Sequence, residues 1–380
     1  MVAIPPHVKK LKSFIAMELV AEADRLRRAG RDIISFGVGE PDLDPPPCVE
    51  EALVKAIRDK FTKYTPSEGL AELREAICAH YREKYGVTVP PDQVLVTEGS
   101  SPAMLLAFAV LLNPGDEVIL SNPHYPCYPA FVNFLHGRPV YVRTREEDGF
   151  QSRPGAIRQK IGRRTKAIVI NSPANPTGTV LAPEIMERIA EFSPWIISDE
   201  IYHGLVYEGR ERSILEFTDR AFVLNGFSKA FAMTGYRLGY LIAPKPFVPT
   251  LKVLLQNFFL SANAFVQKAG VAALREGRGD QERMRRIFAE RRTVMLEGVR
   301  RLGMEVKVEP TGAFYVFANA KRFAKNSLKF SRQILEKAGV AVTPGIDFGS
   351  GGEGFLRFSY ATSRERIEEG IERIRRFLKE

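Results

Sequence analysis

The sequence is poor in the residues that staple or metallate a fold. Its three cysteines, Cys48, Cys78 and Cys127, are odd in number, far apart and include no CxxC pair. That pattern argues against a disulfide framework or a zinc site and for reduced thiols in a cytoplasmic setting. The five histidines, His7, His80, His124, His136 and His203, contain no i,i+4 pair, so no metal centre is expected. Long apolar runs are missing too: stretches such as Met104–Leu112 are too short to cross a bilayer, so no membrane association is expected. The opening MVAIPPHVKKLKSF lacks the charged start, apolar stretch and small-residue cleavage site of a secretory leader. There is no Walker A loop and no GxSxG nucleophile turn.

What is present is an ordinary globular balance, 45% hydrophobic and 26% charged, over 380 residues, a length that suits two domains. The net charge of +10 would suit nucleic acid if the cations were clustered. They are instead interleaved with acids, as in RERIEEGIERIRRFLKE, so anionic small molecules are the better-matched partners and no nucleic-acid partner is expected.

Residues 13–29 predict an amphipathic helix with Ile15, Leu19, Ala23 and Leu26 on one face, stopped by Gly30. A short strand then enters GVGEPD, where Gly39 permits close backbone approach to a ligand or serves a plain turn. A helix is expected over 48–60. Tyr64 follows in a Pro/Ser/Gly loop, where its phenol either packs or meets an anion.

Five segments repeat one form, an apolar strand delivering polar residues into a turn. VLVT leads to Gly99, Ser100 and Ser101 at a helix start, where free amides and the helix dipole favour a phosphate, although serine there also serves as a cap. EVILSN leads to Tyr125, a ring able to stack on a flat ligand or to pack with Tyr128. KAIVIN leads to Asn175, between Ala174 and Pro176. WIISD ends on Asp199, a buried carboxylate that needs a partner, with Tyr202 three residues on. AFVLNGF delivers Ser228 and Lys229. A lysine leaves water rarely, and a deprotonated lysine amine forms Schiff bases with carbonyls. Strands alternating with helices over 92–245 predict a mainly parallel sheet with helices on both faces, an α/β fold. Ligands in such sheets sit at the carboxyl edge of the strands, where Ser100, Tyr125, Asn175, Asp199 and Lys229 all fall.

After Pro246 the pattern becomes two long helices followed by short strands in MEVKVEP, AFYVFANA, VAVTPG and FLRFSYA, a smaller α+β unit joined by the N-terminal helix. The expected division is a large domain, 46–280, and a small one, 1–45 plus 281–380. Arg357, among alternating apolar residues of FLRFSYA, calls for a buried carboxylate as its partner. Gly349 to Gly354 spells GxGxxG but precedes a strand rather than a helix, so the dinucleotide reading fails its context.

Taken together, GVGEPD (37–42), YTPSEGLAELREAI (64–77), TEGSSPA (97–103), NSPANPTG (171–178), SDEIY (198–202), FSKAFAMTGYRLGY (227–240), PTGAFYVF (310–317) and LRFSYATS (356–363) resemble, in order and along nearly the whole chain, the pyridoxal 5'-phosphate dependent aminotransferases of the aspartate aminotransferase family, fold type I. The resemblance implies that Lys229 joins the cofactor as a Schiff base and later moves the proton. Asp199 would pair with the pyridine nitrogen, and Asn175 and Tyr202 with the ring 3'-oxygen. Tyr125 would stack on the ring, where many relatives carry tryptophan or phenylalanine. The Ser100 and Ser101 amides, the Ser228 hydroxyl and Arg237 would hold the phosphate. Tyr64 would reach the phosphate of a neighbouring subunit in a homodimer. Arg357, with Gly39 and Asn175, would take the substrate α-carboxylate, whose geometry its planar fork matches.

The activity so implied is ping-pong transfer of an amino group between an α-amino acid and a 2-oxo acid. A β-lyase of the same fold is the alternative. A non-catalytic regulator is a remote one, because the segment before GVGEPD is too short for a DNA-binding domain. For the side-chain pocket, Phe14, Ile15, Met17 and the Gln256–Phe259 stretch suggest an aliphatic or aromatic donor rather than strict dicarboxylate specificity, with glutamate and 2-oxoglutarate as the default pair by family likeness.

Overall fold

Two kinds of apolar pattern, helical stripes and short continuous runs, become two kinds of layer in the computed structural model. It describes residues 4–9 and 11–379; Met1–Ala3, Lys10 and Glu380 lie outside, and with them part of the N-terminal stretch read for a leader. The chain begins with a single turn, α1 (Pro6–Lys9), and α2 (Ile15–Arg28), which buries Leu19 and Ala23 and half-buries Ile15 and Leu26, the predicted stripe. Gly30 reverses the chain with φ 85°, and β1 (Ile34–Ser35) follows. Next come α3 (Pro47–Arg58) and α4 (Ala71–Tyr85), the latter closed by Gly86 in the left-handed conformation that suits glycine.

The alternating region then gives β2 (Val94–Thr97), α5 (Ser100–Ala109), β3 (Glu117–Asn122), α6 (Cys127–Phe134), β4 (Arg138–Arg143), α7 (Pro154–Arg158), β5 (Thr165–Asn171), α8 (Pro183–Ala190), β6 (Trp195–Asp199), β7 (Ala221–Gly226) and β8 (Gly239–Ile242). These strands form one seven-stranded sheet in the order β2-β8-β7-β6-β5-β3-β4. The pairs from β7 across to β4 are parallel, and β8 alone runs antiparallel to its neighbours β7 and β2. Both faces are covered. Val94, Val96, Ile168, Ile170 and Val223 pack under α4, α8 and the later helix over Ala264–Glu276, while the alternate residues Leu95, Ala167, Val169, Phe222 and Leu224 pack under α5. That two-sided burial explains why these strands read as continuous apolar runs.

The rest comprises α9 (Val248–Phe258), α10 (Ala264–Glu276), α11 (Arg278–Arg301), β9 (Tyr315–Asn319), α12 (Ser327–Gln333), β10 (Val340–Ala341), β11 (Thr343–Pro344), β12 (Phe355–Ser359) and α13 (Arg364–Phe377). Strands β11, β12 and β9 make an antiparallel sheet, and β10 pairs parallel with β1. Ile34 and Phe36 share a core with Phe288, Leu296, Val340 and Ile371, so the N-terminal segment packs with the C-terminal part. The expected strand in MEVKVEP does not form: Glu305 makes only a single bridge to Asn319. Val306 packs against the core shared by Phe288 and Leu296, whereas Val308 is exposed, so the alternation is not carried through as a strand. Among the described residues no helix is long and apolar enough to cross a membrane.

Candidate active site

The parallel strands finish together. Asn171 at the end of β5 is level with Asp199 at the end of β6, and Gly226 at the end of β7 faces Gly239. Because β8 runs the other way, it starts at this edge and brings Arg237 there. Only glycine fits its first position: a Cβ on Gly239 would lie 2.6 Å from the Gly99 carbonyl carbon and 2.8 Å from the Ser100 nitrogen. The start of β8 therefore presses on the start of α5. Gly99 adopts φ 92°, and the Arg237 guanidinium lies 2.5 Å from where its Cβ would be. Arg237 is steadied by donating from Nη1 to the Thr234 carbonyl at 2.9 Å. The first amides of α5, at Ser100 and Ser101, and the Arg237 cation thus form an anion cradle. Ser228, buried, sits just beyond β7 beside Lys229.

Lys229 Nζ donates to the Gly39 carbonyl at 2.5 Å and stands 6.0 Å from the Phe314 ring centroid. Burial pushes its pKa down to about 8, against the pull of Glu40 and Asp199, and with Arg357 and Arg237 pushing it further down. Asp199 is buried, and that burial raises its acid to about 6. Two neutral donors oppose the rise: the Tyr128 hydroxyl reaches Oδ2 at 2.7 Å and the Ile201 amide reaches Oδ1 at 3.2 Å. Among the described residues no lysine or arginine forms an ion pair with it. Tyr202 and Tyr315 join hydroxyl to hydroxyl at 2.8 Å, both buried. Tyr125 is half-buried, edge-on to Tyr128 at 5.4 Å and to Phe14 at 6.0 Å.

Arg357 lies on β12, 2% exposed, and a carboxylate was its expected partner. The structure corrects that. Among the described residues no carboxylate pairs with it. Nη1 donates to Asn175 Oδ1 at 2.8 Å, and Nη2 donates to the Gly37 carbonyl at 2.6 Å and to Thr343 Oγ1 at 3.3 Å. The guanidinium rests 4.3 Å from the Tyr315 ring centroid and 5.0 Å from that of Phe348. A buried cation held only by neutral groups is a ready receptor for an external carboxylate. Gly39 is required where it stands, since a Cβ would fall 2.4 Å from the Tyr315 hydroxyl oxygen.

One predicted residue stays apart. Tyr64 is 83% exposed and makes no side-chain hydrogen bond among the described residues. Two functional candidates were missed. Tyr128 read as packing, because a tyrosine three residues after another resembles a helix stripe. Tyr315, which touches Tyr202, Arg357 and the Gly39 position, was hidden in the apolar run AFYVF. A tyrosine in a fully buried strand needs a hydrogen-bond partner, and that was the available signal.

A mainly parallel sheet with an amine, a carboxylate and an anion cradle at its carboxyl edge defines a fold type I pyridoxal-phosphate enzyme. The aminotransferase class I and II family model matches residues 31–374, and the chain belongs to that family. It is 40% identical to the (5-formylfuran-3-yl)methyl phosphate transaminase of Methanocaldococcus jannaschii, over 97% of each chain. It is 40% identical to a probable aspartate/prephenate aminotransferase of Aquifex aeolicus, over 98% of each. The Thermus thermophilus aspartate aminotransferase with maleate superposes with a TM-score of 0.94 at 38% identity, covering 99% of this chain and 100% of that one. The protein is an aminotransferase that uses pyridoxal 5'-phosphate, and the β-lyase reading finds no support in these relatives. The residues present fit the cofactor: a buried carboxylate without a cation suits a ring nitrogen that carries a proton, and the Gly99–Arg237 cradle suits a phosphate.

Proposed function

We propose that the groups at this sheet edge divide the work of amino-group transfer between an α-amino acid and a 2-oxo acid as follows. When bound, pyridoxal 5'-phosphate supplies a carbonyl and an electron-accepting ring. Lys229 holds it through Nζ and, once released, moves the proton at the substrate Cα; an amine of pKa about 8 is suited to that transfer near neutral pH. Asp199 would keep the ring nitrogen protonated. Asn175 and Tyr202 would donate to the ring 3'-oxygen, and Tyr125 would cover the ring face. Ser100, Ser101, Ser228 and Arg237 would hold the phosphate. Arg357, with Gly39 and Asn175, grips the α-carboxylate. The observation that carries the reading is the buried Arg357 fork, held by Asn175, Gly37 and Thr343 with no carboxylate of its own among the described residues.

Tyr64, exposed on its own chain, completes the phosphate site of a second copy, so the working unit is a homodimer. The division into a large domain, 46–280, and a small one, 1–45 plus 281–380, is supported by the core that Ile34 and Phe36 share with the C-terminal part. Three free thiols support a cytoplasmic setting.

For the substrate, the groove beside Phe14, whose ring lies edge-on to Tyr125, is lined by Ile15, Pro126, Ala130 and Tyr141 together with the polar Asn122, His124 and Asp347, and its apolar share favours an aliphatic or aromatic donor. Lys12 also lines the groove, and the Aquifex relative is named for aspartate and prephenate, so an acidic donor is the second reading. A panel of amino donors, followed by conversion of the bound cofactor to its amino form, separates them. Leucine, phenylalanine or tyrosine should outpace aspartate; a panel in which aspartate alone is fast overturns the first reading.

A further inference from the structure

Tyr128 is the second residue of α6, the helix that follows β3. It is 3% exposed, so its hydroxyl must find a protein partner. The partner is Asp199 Oδ2, at 2.7 Å. The same ring lies edge-on to Tyr125, 5.4 Å between centroids, so Tyr128 touches both the carboxylate and the ring at the same edge. We propose that Tyr128 is a positioning residue for the established reaction, its hydroxyl holding the Asp199 carboxylate charged and aimed at the cofactor's ring nitrogen. This rests on the role assigned to Asp199 above.

The physical need is specific. Asp199 has no cation of this chain beside it among the described residues, and its immediate neighbour Glu200 is a second buried carboxylate. Ionising Asp199 in that setting is opposed by burial and by Glu200. The groups that favour the charged form are the Tyr128 hydroxyl, the Ile201 amide and, at longer range, His203. Of the two direct bonds, the Tyr128 bond is the shorter, at 2.7 Å against 3.2 Å, and comes from a side chain that a point substitution can remove. Tyr128 donates rather than ionises, because burial and Asp199 together push its own acidity far out of range. The bond also fixes geometry. With Oδ2 held by Tyr128 and Oδ1 by Ile201, the carboxylate plane is set before any ligand arrives, which lowers the ordering cost of binding.

A merely structural Tyr128 would fill space in the cluster of Val118, Leu120 and Phe222, and removing the hydroxyl would affect any ligand alike. The test is therefore a cycle between the side chain and the ring atom. The full-length Tyr128→Phe variant, stripped of cofactor, is titrated with pyridoxal 5'-phosphate and with its 1-deaza analogue, in which C–H replaces the ring nitrogen. Binding is followed by absorbance. Losing the hydroxyl should weaken binding of the natural cofactor about tenfold, equivalent to about 1.4 kcal/mol, and change that of the deaza analogue less than about twofold. Equal weakening of both, or of neither, overturns the proposal. Asp199→Ala is run beside it. If that variant loses the preference for the nitrogen-bearing ring while Tyr128→Phe keeps it in full, only the positioning role falls. If Asp199→Ala also keeps the preference, the Asp199 assignment falls and takes the proposal with it.

Discussion

Arg357 Nη1 donates to Asn175 Oδ1 at 2.8 Å, joining the antiparallel sheet to the loop after β5 across 182 positions of sequence. The bond does two things. It orients the guanidinium fork, and, on the assignments proposed above, it ties the carboxylate receptor to a residue at the cofactor ring. A second tie runs through the GVGEPD segment: the Gly37 carbonyl accepts from Arg357 and the Gly39 carbonyl accepts from Lys229. Two carbonyls of one short segment thus hold the buried Arg357 and the half-buried Lys229.

Replacing Arg357 by lysine keeps the charge and removes the planar fork. The KM for both amino acid and 2-oxo acid should rise about a hundredfold, since two charge-assisted bonds are worth a few kcal/mol. The absorption spectrum of the bound cofactor should not change if Arg357 grips the substrate, as proposed. Steady-state kinetics beside the spectrum decides this. A normal KM would mean that the carboxylate is held elsewhere.

Lys229 predicts a pH dependence. Its pKa of about 8 leaves roughly a tenth of the amine neutral at pH 7, against well under a thousandth for an ordinary lysine. Capture of pyridoxal 5'-phosphate by the cofactor-free protein should therefore accelerate tenfold per pH unit up to about pH 8 and then level off. A stopped-flow pH series checks the midpoint, and borohydride reduction followed by peptide mapping checks the residue. Label on any other lysine would remove Lys229 from the site.

How much of this was legible beforehand depended on distance along the chain. Asp199 and Lys229 were visible as candidates because Asp199 ends an apolar strand and Lys229 comes three residues after the end of another, and local sequence alone marks such places. The direction of β8 was not visible, since an apolar run carries no information about which way its strand will lie. The partner of Arg357 was misjudged for a related reason. A buried cation needs polar company, but charge pairing is only one way to supply it, and here an amide, a carbonyl and a hydroxyl from three separate segments do so. Tyr128 was passed over because its spacing from Tyr125 has a packing explanation that only the 2.7 Å bond to Asp199 supersedes. The strand expected in MEVKVEP is reduced to the single Glu305–Asn319 bridge, because alternation marks which residues face a core and not which strand will pair with them.

Asp199 trades stability for function. Its folded-state acid, near 6, lies above the ordinary value of 3.8, so the native protein holds more protons than the unfolded chain between about pH 4 and pH 6. Stability of the cofactor-free protein therefore falls as pH rises through that window, and the full penalty is present above pH 6. Asp199→Asn removes it. The variant should be more stable than the parent by up to about 3 kcal/mol at pH 7, equally stable near pH 4, and nearly inactive. Thermal unfolding of both proteins without cofactor at the two pH values tests the sign; a variant less stable at pH 7 contradicts it.

Tyr64 offers the sharpest test of the dimer. Its ring is 83% exposed on its own chain, whereas the Arg237 cradle it is assigned to belongs to the site itself. Suppose Tyr64→Phe and Arg357→Lys chains, each weakly active alone, are unfolded, mixed equally and refolded. If Tyr64 acts across the dimer, every mixed dimer contains one site with both lesions and one with neither. Half of the dimers are mixed and half of their sites are intact, so activity should recover to about a quarter of the parent value. If Tyr64 serves its own chain, every site in every dimer keeps one lesion and mixing gains nothing. The gain over the mean of the two variants refolded alone therefore reads out which chain supplies the phenol, and it is largest when both substitutions impair the enzyme strongly.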